Sequence, residues 1–131
     1  MPRIGVITDE ISEDLEHALA VCGDLGIRDI ELRSVWNTSI VELSDADLAR
    51  VERLLRDGGF ATCGIASPFL KCHIHGDGRA AGRTHSASSS TRAEQWDILD
   101  RSLEVAERLD APLVRAFSFW RLEDPTAVRE E

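Results

Sequence analysis

Glu31, Arg33 and Trp36 lie within and just after one short apolar run. Ser67 and Lys71 follow a second, and Arg115 and Trp120 lie within and at the end of a third. These residue types suit the holding of a small polar molecule. A guanidinium or ammonium pairs with a carboxylate or phosphate, a carboxylate accepts hydrogen bonds from hydroxyls, and an indole stacks on a sugar ring. A second group, Cys72, His73, His75 and Asp77 in "CHIHGD", has residue types that suit zinc. Its spacing matches neither Cys-x-x-Cys nor His-Glu-x-x-His and it lacks a distant partner pair, so the expectation is solvated loop histidines and no metal site in this chain.

The elements that must position these residues alternate. "RIGVIT" (3–8) is a short β-branched run with the signature of a buried strand. In "SEDLEHALAVCGDLG", Leu15, Ala18, Leu19 and Cys22 recur at helical spacing, with Ser12 as the expected cap and Gly26 as the stop. "IRDIEL" (27–32) is the second strand. In the helix that follows, Ser44 and Asp47 resemble a capping box, Leu48, Val51, Leu54 and Leu55 form the inward stripe, and Gly58 and Gly59 end it.

"FATCGIAS" (60–67) is the third strand, closed by Pro68. A third helix is expected from a Thr91–Glu94 box, burying Trp96, Leu99, Leu103 and Ala106. "LVRAFSFW" (113–120) is the fourth strand, and "DPTAVREE" reads as the opening of another helix.

Strict strand–helix alternation implies a parallel sheet with helical crossovers. A flavodoxin-like or Rossmann sheet and a (β/α)8 TIM barrel both have this order. The first junction, "TDEISED", lacks Gly-x-Gly-x-x-Gly, and no P-loop is present, so the dinucleotide and P-loop readings lose their support. A barrel takes about 250 residues. The expectation is therefore a partial barrel, with 1–131 as the N-terminal half and the chain a truncated product of a longer gene.

In parallel folds ligands meet the carboxyl ends of the strands. The exits here offer Thr8, Asp9 and Glu10; Glu31, Arg33 and Trp36; Ser67, Lys71, Cys72, His73 and His75; and Arg115, Ser118, Trp120 and Arg121. Glu31 alternates with Ile30 and Leu32 and so points to the opposite face. Two roles stand open for it: an ion pair with Arg115 or Arg33, or contact with substrate.

Net charge is −9, which repels nucleic acid and anionic membranes. No apolar run reaches the ~20 residues of a membrane span, and no signal peptide opens the chain, so a cytoplasmic protein is the default expectation. Three scattered cysteines form no disulfide framework.

"IGVITDEIS", "DIELRSVW", "GIASPFLKC" and "VRAFSFWR" together resemble the first four strands of the sugar phosphate isomerase/epimerase family, within the xylose isomerase-like TIM barrel superfamily. The resemblance runs over essentially the whole chain. It implies an isomerase or epimerase that moves a proton between adjacent carbons of a sugar, polyol or keto-acid derivative. It further implies a divalent metal ion (Mn, Mg, Zn or Co) acting as Lewis acid, with its Glu, Asp, His, Glu ligands on later strands outside this chain. The chain would then carry the substrate-shaping residues: Glu31, Arg33, Trp36, Ser67, Lys71, Arg115 and Trp120.

The superfamily also contains family-two AP endonucleases, which carry metal-binding histidines at the third and fourth exits. Here Ala66 or Ser67, and Ser118, stand at those places, which argues against that branch. The alternative from another class is a non-catalytic half-barrel that binds a small ligand and forms a homodimer.

Overall fold

The computed structural model describes residues 2–73 and 93–120. Three parallel strands, β1 (Gly5–Ile7), β2 (Asp29–Leu32) and β5 (Ala61–Ile65), stand side by side in the order of the sequence. A 3-10 turn (Thr8–Glu10) and helix α1 (Leu15–Asp24) connect the first pair. The second connection holds a two-strand hairpin, β3 (Ser34–Val35) with β4 (Thr38–Ser39), and helix α2 (Asp45–Gly58). Helix α3 (Glu94–Arg108) follows β5.

One core joins all of these. Leu15 and Leu19 of α1, Leu48, Val51 and Leu55 of α2, and Val105 and Ala106 of α3 pack with Ile30, Leu32 and Ile65 of the strands. All three helices therefore cover the same face of the sheet. A right-handed crossover repeated in one direction across a sheet has that result, whereas a doubly wound sheet reverses direction and covers both faces. Apart from Ile7, which stands in register with Glu31, the opposite face carries small or polar residues. A side chain at Gly5 would strike the Cys63 sulfur at 2.8 Å, and one at Gly64 would meet Glu31 Cγ at 3.7 Å. The β2–β5 register slips between Ile30 and Glu31, so that Thr62 opposes Ile30 and Gly64 opposes Glu31. That bulge adds Cys63 to the Glu31 face and still leaves Thr62 and Ile65 turned to the helices.

The local signals that hold are caps. Ser44 Oγ accepts the Asp47 N–H at 3.1 Å and donates to its carboxylate at 2.7 Å. Gly59 closes α2 at φ 68°, a left-handed conformation that suits glycine. For α1 the expected cap moves by two residues: Asp14 accepts the His17 N–H, and Ser12 instead accepts the Asp14 N–H.

Two expectations need correction. The fourth strand, expected over 113–120, is reduced to a single parallel bridge between Val114 and Ile65. β5 ends at Ile65, and Pro68 has no N–H to extend a ladder. The segment still follows the chain leaving β5: Phe117 N–H donates to Phe69 O at 2.9 Å, and Trp120 N–H to Cys72 O at 2.9 Å.

In α3 the inward face is Gln95, Ser102, Val105 and Ala106, while Trp96 is 61% and Leu103 51% exposed. Two polar residues take the places expected for apolar ones because both are bonded. Gln95 Oε1 accepts the Leu70 N–H at 2.7 Å, and Ser102 Oγ lies 2.7 Å from Ser67 Oγ. Thr91 and the expected last helix lie outside the described residues.

Ser44→Ala removes the side-chain cap of α2 and is expected to cost about 1 kcal/mol of stability. Urea unfolding should show the midpoint fall with an unchanged slope. An unaltered midpoint would mean that the cap contributes nothing.

Candidate functional site

Parallel strands bring their carboxyl ends to one rim, and the titratable residues of that rim fall into two coupled groups. In the first, the 3-10 turn after β1 presents Asp9 and Glu10 to Arg33, which leaves β2. Arg33 Nε donates to Asp9 Oδ2 at 2.8 Å and Nη2 to Glu10 Oε1 at 2.6 Å. The Asp9 side chain is 4% exposed and that of Glu10 63%, so the inner pair is sheltered and the outer one is solvated. Burial alone would lower the Arg33 pKa; the hydrogen bonds and charges of Asp9 and Glu10 outweigh it and raise it. The Thr8 hydroxyl and Asp9 Oδ1 are buried without a hydrogen-bond partner among the described residues.

The second group centres on the Phe117 ring. The Arg115 guanidinium carbon lies 4.8 Å from the ring centre and Lys71 Nζ 5.4 Å from it. Arg115 Nη2 donates to Ala66 O at 2.9 Å, and Nε to Ser67 O at 3.4 Å. Arg115 is therefore held by the backbone that leaves β5. Burial lowers the pKa of both cations. Arg33 lowers both further and Arg115 lowers Lys71, while Glu31 and Asp9 act on Arg115 in the opposite sense. These mutual fields tie Asp9, Glu31, Arg33, Lys71 and Arg115 into one electrostatic neighbourhood.

Glu31 forms no ion pair among the described residues. Arg33 is engaged by Asp9 and Glu10, and Arg115 by backbone carbonyls, so of the two roles open to Glu31 the ion pair with either does not form.

The other expected residues fare differently. Ser67 is fully buried, its hydroxyl engaged by Ser102 and by the Phe69 N–H at 3.1 Å; it ties the strand exit to α3. Trp36 stands at φ 52° and Asn37 at φ 59°, as the centre of a two-residue hairpin turn requires. The Trp36 indole donates to Glu16 at 3.1 Å, and the Arg50 guanidinium covers its ring at 4.2 Å. The Trp36 side chain thus packs on α1 and α2 instead of joining the Arg115 group. The Trp120 indole N–H is buried without a partner among the described residues. Cys72 is buried, which raises its thiol pKa; His75, Asp77 and Arg121 lie outside the described residues.

Phe117 and the Asp9 and Glu10 partners of Arg33 were absent from the expected set. The acids were readable as a strand exit, whereas nothing local marks Phe117 as a shared platform.

Among the described residues no three His, Cys, Asp or Glu side chains converge on a metal position. The acids at the rim are interleaved with cations, which does not fit a divalent ion. A cavity of about 460 Å³, lined by residues including Glu52, Phe60, Thr62 and Arg108, lies at the opposite, amino-terminal end of β5.

No family model matches the chain, and no curated protein matches it significantly. Among the described residues, no helix is long and apolar enough to cross a membrane.

The two partners of Arg33 differ in burial, so their removal should differ in cost. Asp9→Asn is expected to destabilise the fold by about 3 kcal/mol, since it leaves a sheltered guanidinium short of charge. Glu10→Gln should cost less than about 1 kcal/mol. Equal losses in denaturant unfolding would contradict this assignment.

Proposed function

We propose that the strand-exit rim binds a small oxyanion-bearing sugar derivative, as part of a (β/α)8 barrel enzyme that isomerises or epimerises it. The observation that carries this reading is the pairing of Arg115 and Lys71 on one aromatic ring at the carboxyl end of the sheet. Sequential strand order with every described helix on one face supports the barrel.

In this reading Arg115, oriented by the Ala66 and Ser67 carbonyls, takes the phosphate or carboxylate. Lys71 adds a second positive charge, and Trp120 offers an indole donor. Glu31, on the open face of the sheet and free of an ion pair among the described residues, accepts from substrate hydroxyls. Arg33, fixed by Asp9 and Glu10, stabilises the rim. The divalent ion implied by the family resemblance belongs to this proposal with its ligands outside the described residues.

Calorimetric titration with a pentose phosphate tests the reading. Binding is expected, weakening as salt rises, and Arg115→Met should weaken it about tenfold or more, the cost of one charge-assisted contact. Equal binding by wild type and variant would overturn it.

A second reading, a binding module that pairs with its own copy, draws on the exposed apolar residues Ile4, Trp96, Leu103 and Leu113. Sedimentation of the 131-residue chain should then show a dimer that Trp96→Glu with Leu103→Glu dissociates. A monomer at all concentrations would remove this reading.

A further inference from the structure

The cavity of about 460 Å³ at the amino-terminal end of β5 is remote from the strand-exit rim and takes no part in the function proposed for it. Its size falls within the range of small-molecule sites. Leu55 of α2, Phe60 just ahead of β5 and Leu109 just after α3 give it apolar walls. Those walls are fixed by other contacts. Arg108 of α3 donates to Glu52 of α2 through Nε at 3.0 Å and Nη2 at 3.2 Å, which ties together the two helices that flank the cavity. The Phe60 ring is backed by Gly58, where a Cβ would stand 2.6 Å from it, and by the Arg28 guanidinium at 5.0 Å. A recess held in this way loses little freedom when it takes a ligand.

Charge selects against an ion. Glu52 and Asp110 are balanced by Arg56 and Arg108 in the lining. Hydrogen bonding between Glu52 and Arg108 lowers the pKa of the acid and raises that of the base, so neither charge is spare. Arg56 and Asp110 are exposed to water.

One polar group in the wall stands out. Thr62 is 7% exposed and lies opposite Ile30 on the helix side of the sheet. Its hydroxyl is buried with no hydrogen-bond partner among the described residues. Such a group is destabilising, and a valine of similar shape would fill this position without that penalty.

We propose that this cavity binds a small uncharged ring compound carrying one hydroxyl, of which phenol is the simplest. The ring packs among Leu55, Phe60 and Leu109, and the hydroxyl pairs with that of Thr62. Apolar walls supply the affinity and the single buried oxygen sets the orientation, while the balanced charges give an anion no advantage. The site is independent of the rim and does not rest on the rim's reading as an oxyanion site.

Amide NMR titrations of the isotope-labelled chain with phenol and with toluene test it. Phenol is expected to give saturable shifts at Phe60, Thr62 and Leu109 and none at Lys71 or Arg115. Thr62→Val should weaken phenol binding about fivefold, the worth of one neutral hydrogen bond, and leave toluene binding within about twofold. Urea unfolding of the variant should show no fall in midpoint, which separates a lost contact from a lost fold. Phenol and pentose phosphate should not compete.

Absence of a saturable shift at the cavity overturns the proposal, as do phenol shifts confined to the rim. Equal effects of Thr62→Val on the two ligands overturn it as well, since the hydroxyl then has no role. A pentose phosphate that fails to bind at the rim strikes the oxyanion reading and leaves this one standing.

Discussion

The parallel pairing of β2 with both β1 and β5 governs the rest of this structure. Ile30 and Leu32 are fully buried on the helix side of that central strand, and Glu31 between them is turned to the other side. Once β2 is flanked in parallel by its sequence neighbours, each helix must return across the same face and each strand must release its chain at the same rim. The distribution of chemistry follows: apolar contacts lie between sheet and helices, while Asp9, Arg33, Lys71 and Arg115 gather where the strands end.

The rim is held by bonds that do not belong to the sheet. The Arg33 ion pairs fasten the exit of β1 to that of β2. Contacts of Ser67 with Ser102 and of Gln95 with the Leu70 N–H fasten the exit of β5 to α3. Arg115 then binds carbonyls of the same exit from a neighbouring segment. Apart from the solvated Glu10 pair, each tie is polar and largely sheltered, so removing either partner leaves an unpaired group in a poor solvent for it. Such ties restrict the rim and leave the Arg115 head oriented in advance, which reduces the ordering cost of holding a ligand.

Much of this architecture was legible in the sequence, for physical reasons that differ from place to place. The three strands, α1 and α2 follow from periodicity and from local stops such as Gly59, because their burial is decided by apolar residues at regular spacing. α3 was misread on the same grounds: its inward face carries Gln95 and Ser102, whose partners at Leu70 and Ser67 are distant in sequence. The Trp36–Asn37 turn was missed because a tryptophan at positive φ is unusual, and it is held here by Glu16 and Arg50 on two other elements. Among the candidate residues, exit position placed Arg33, Lys71 and Arg115 at one rim, yet could not show that Ser67 and Trp36 turn to other elements. That distinction depends on which groups the folded chain uses for itself.

The central claim, that the strand-exit rim is an oxyanion site built around Arg115 and Lys71, is tested most directly by an amide NMR titration of the isotope-labelled chain with a pentose phosphate. The account predicts saturable shifts concentrated at Arg33, Lys71, Arg115 and Phe117, with the amino-terminal ends of β2 and β5 unmoved. Shifts confined to the Glu52, Phe60 and Thr62 cavity at the opposite end, or no saturable shift at all, would contradict it.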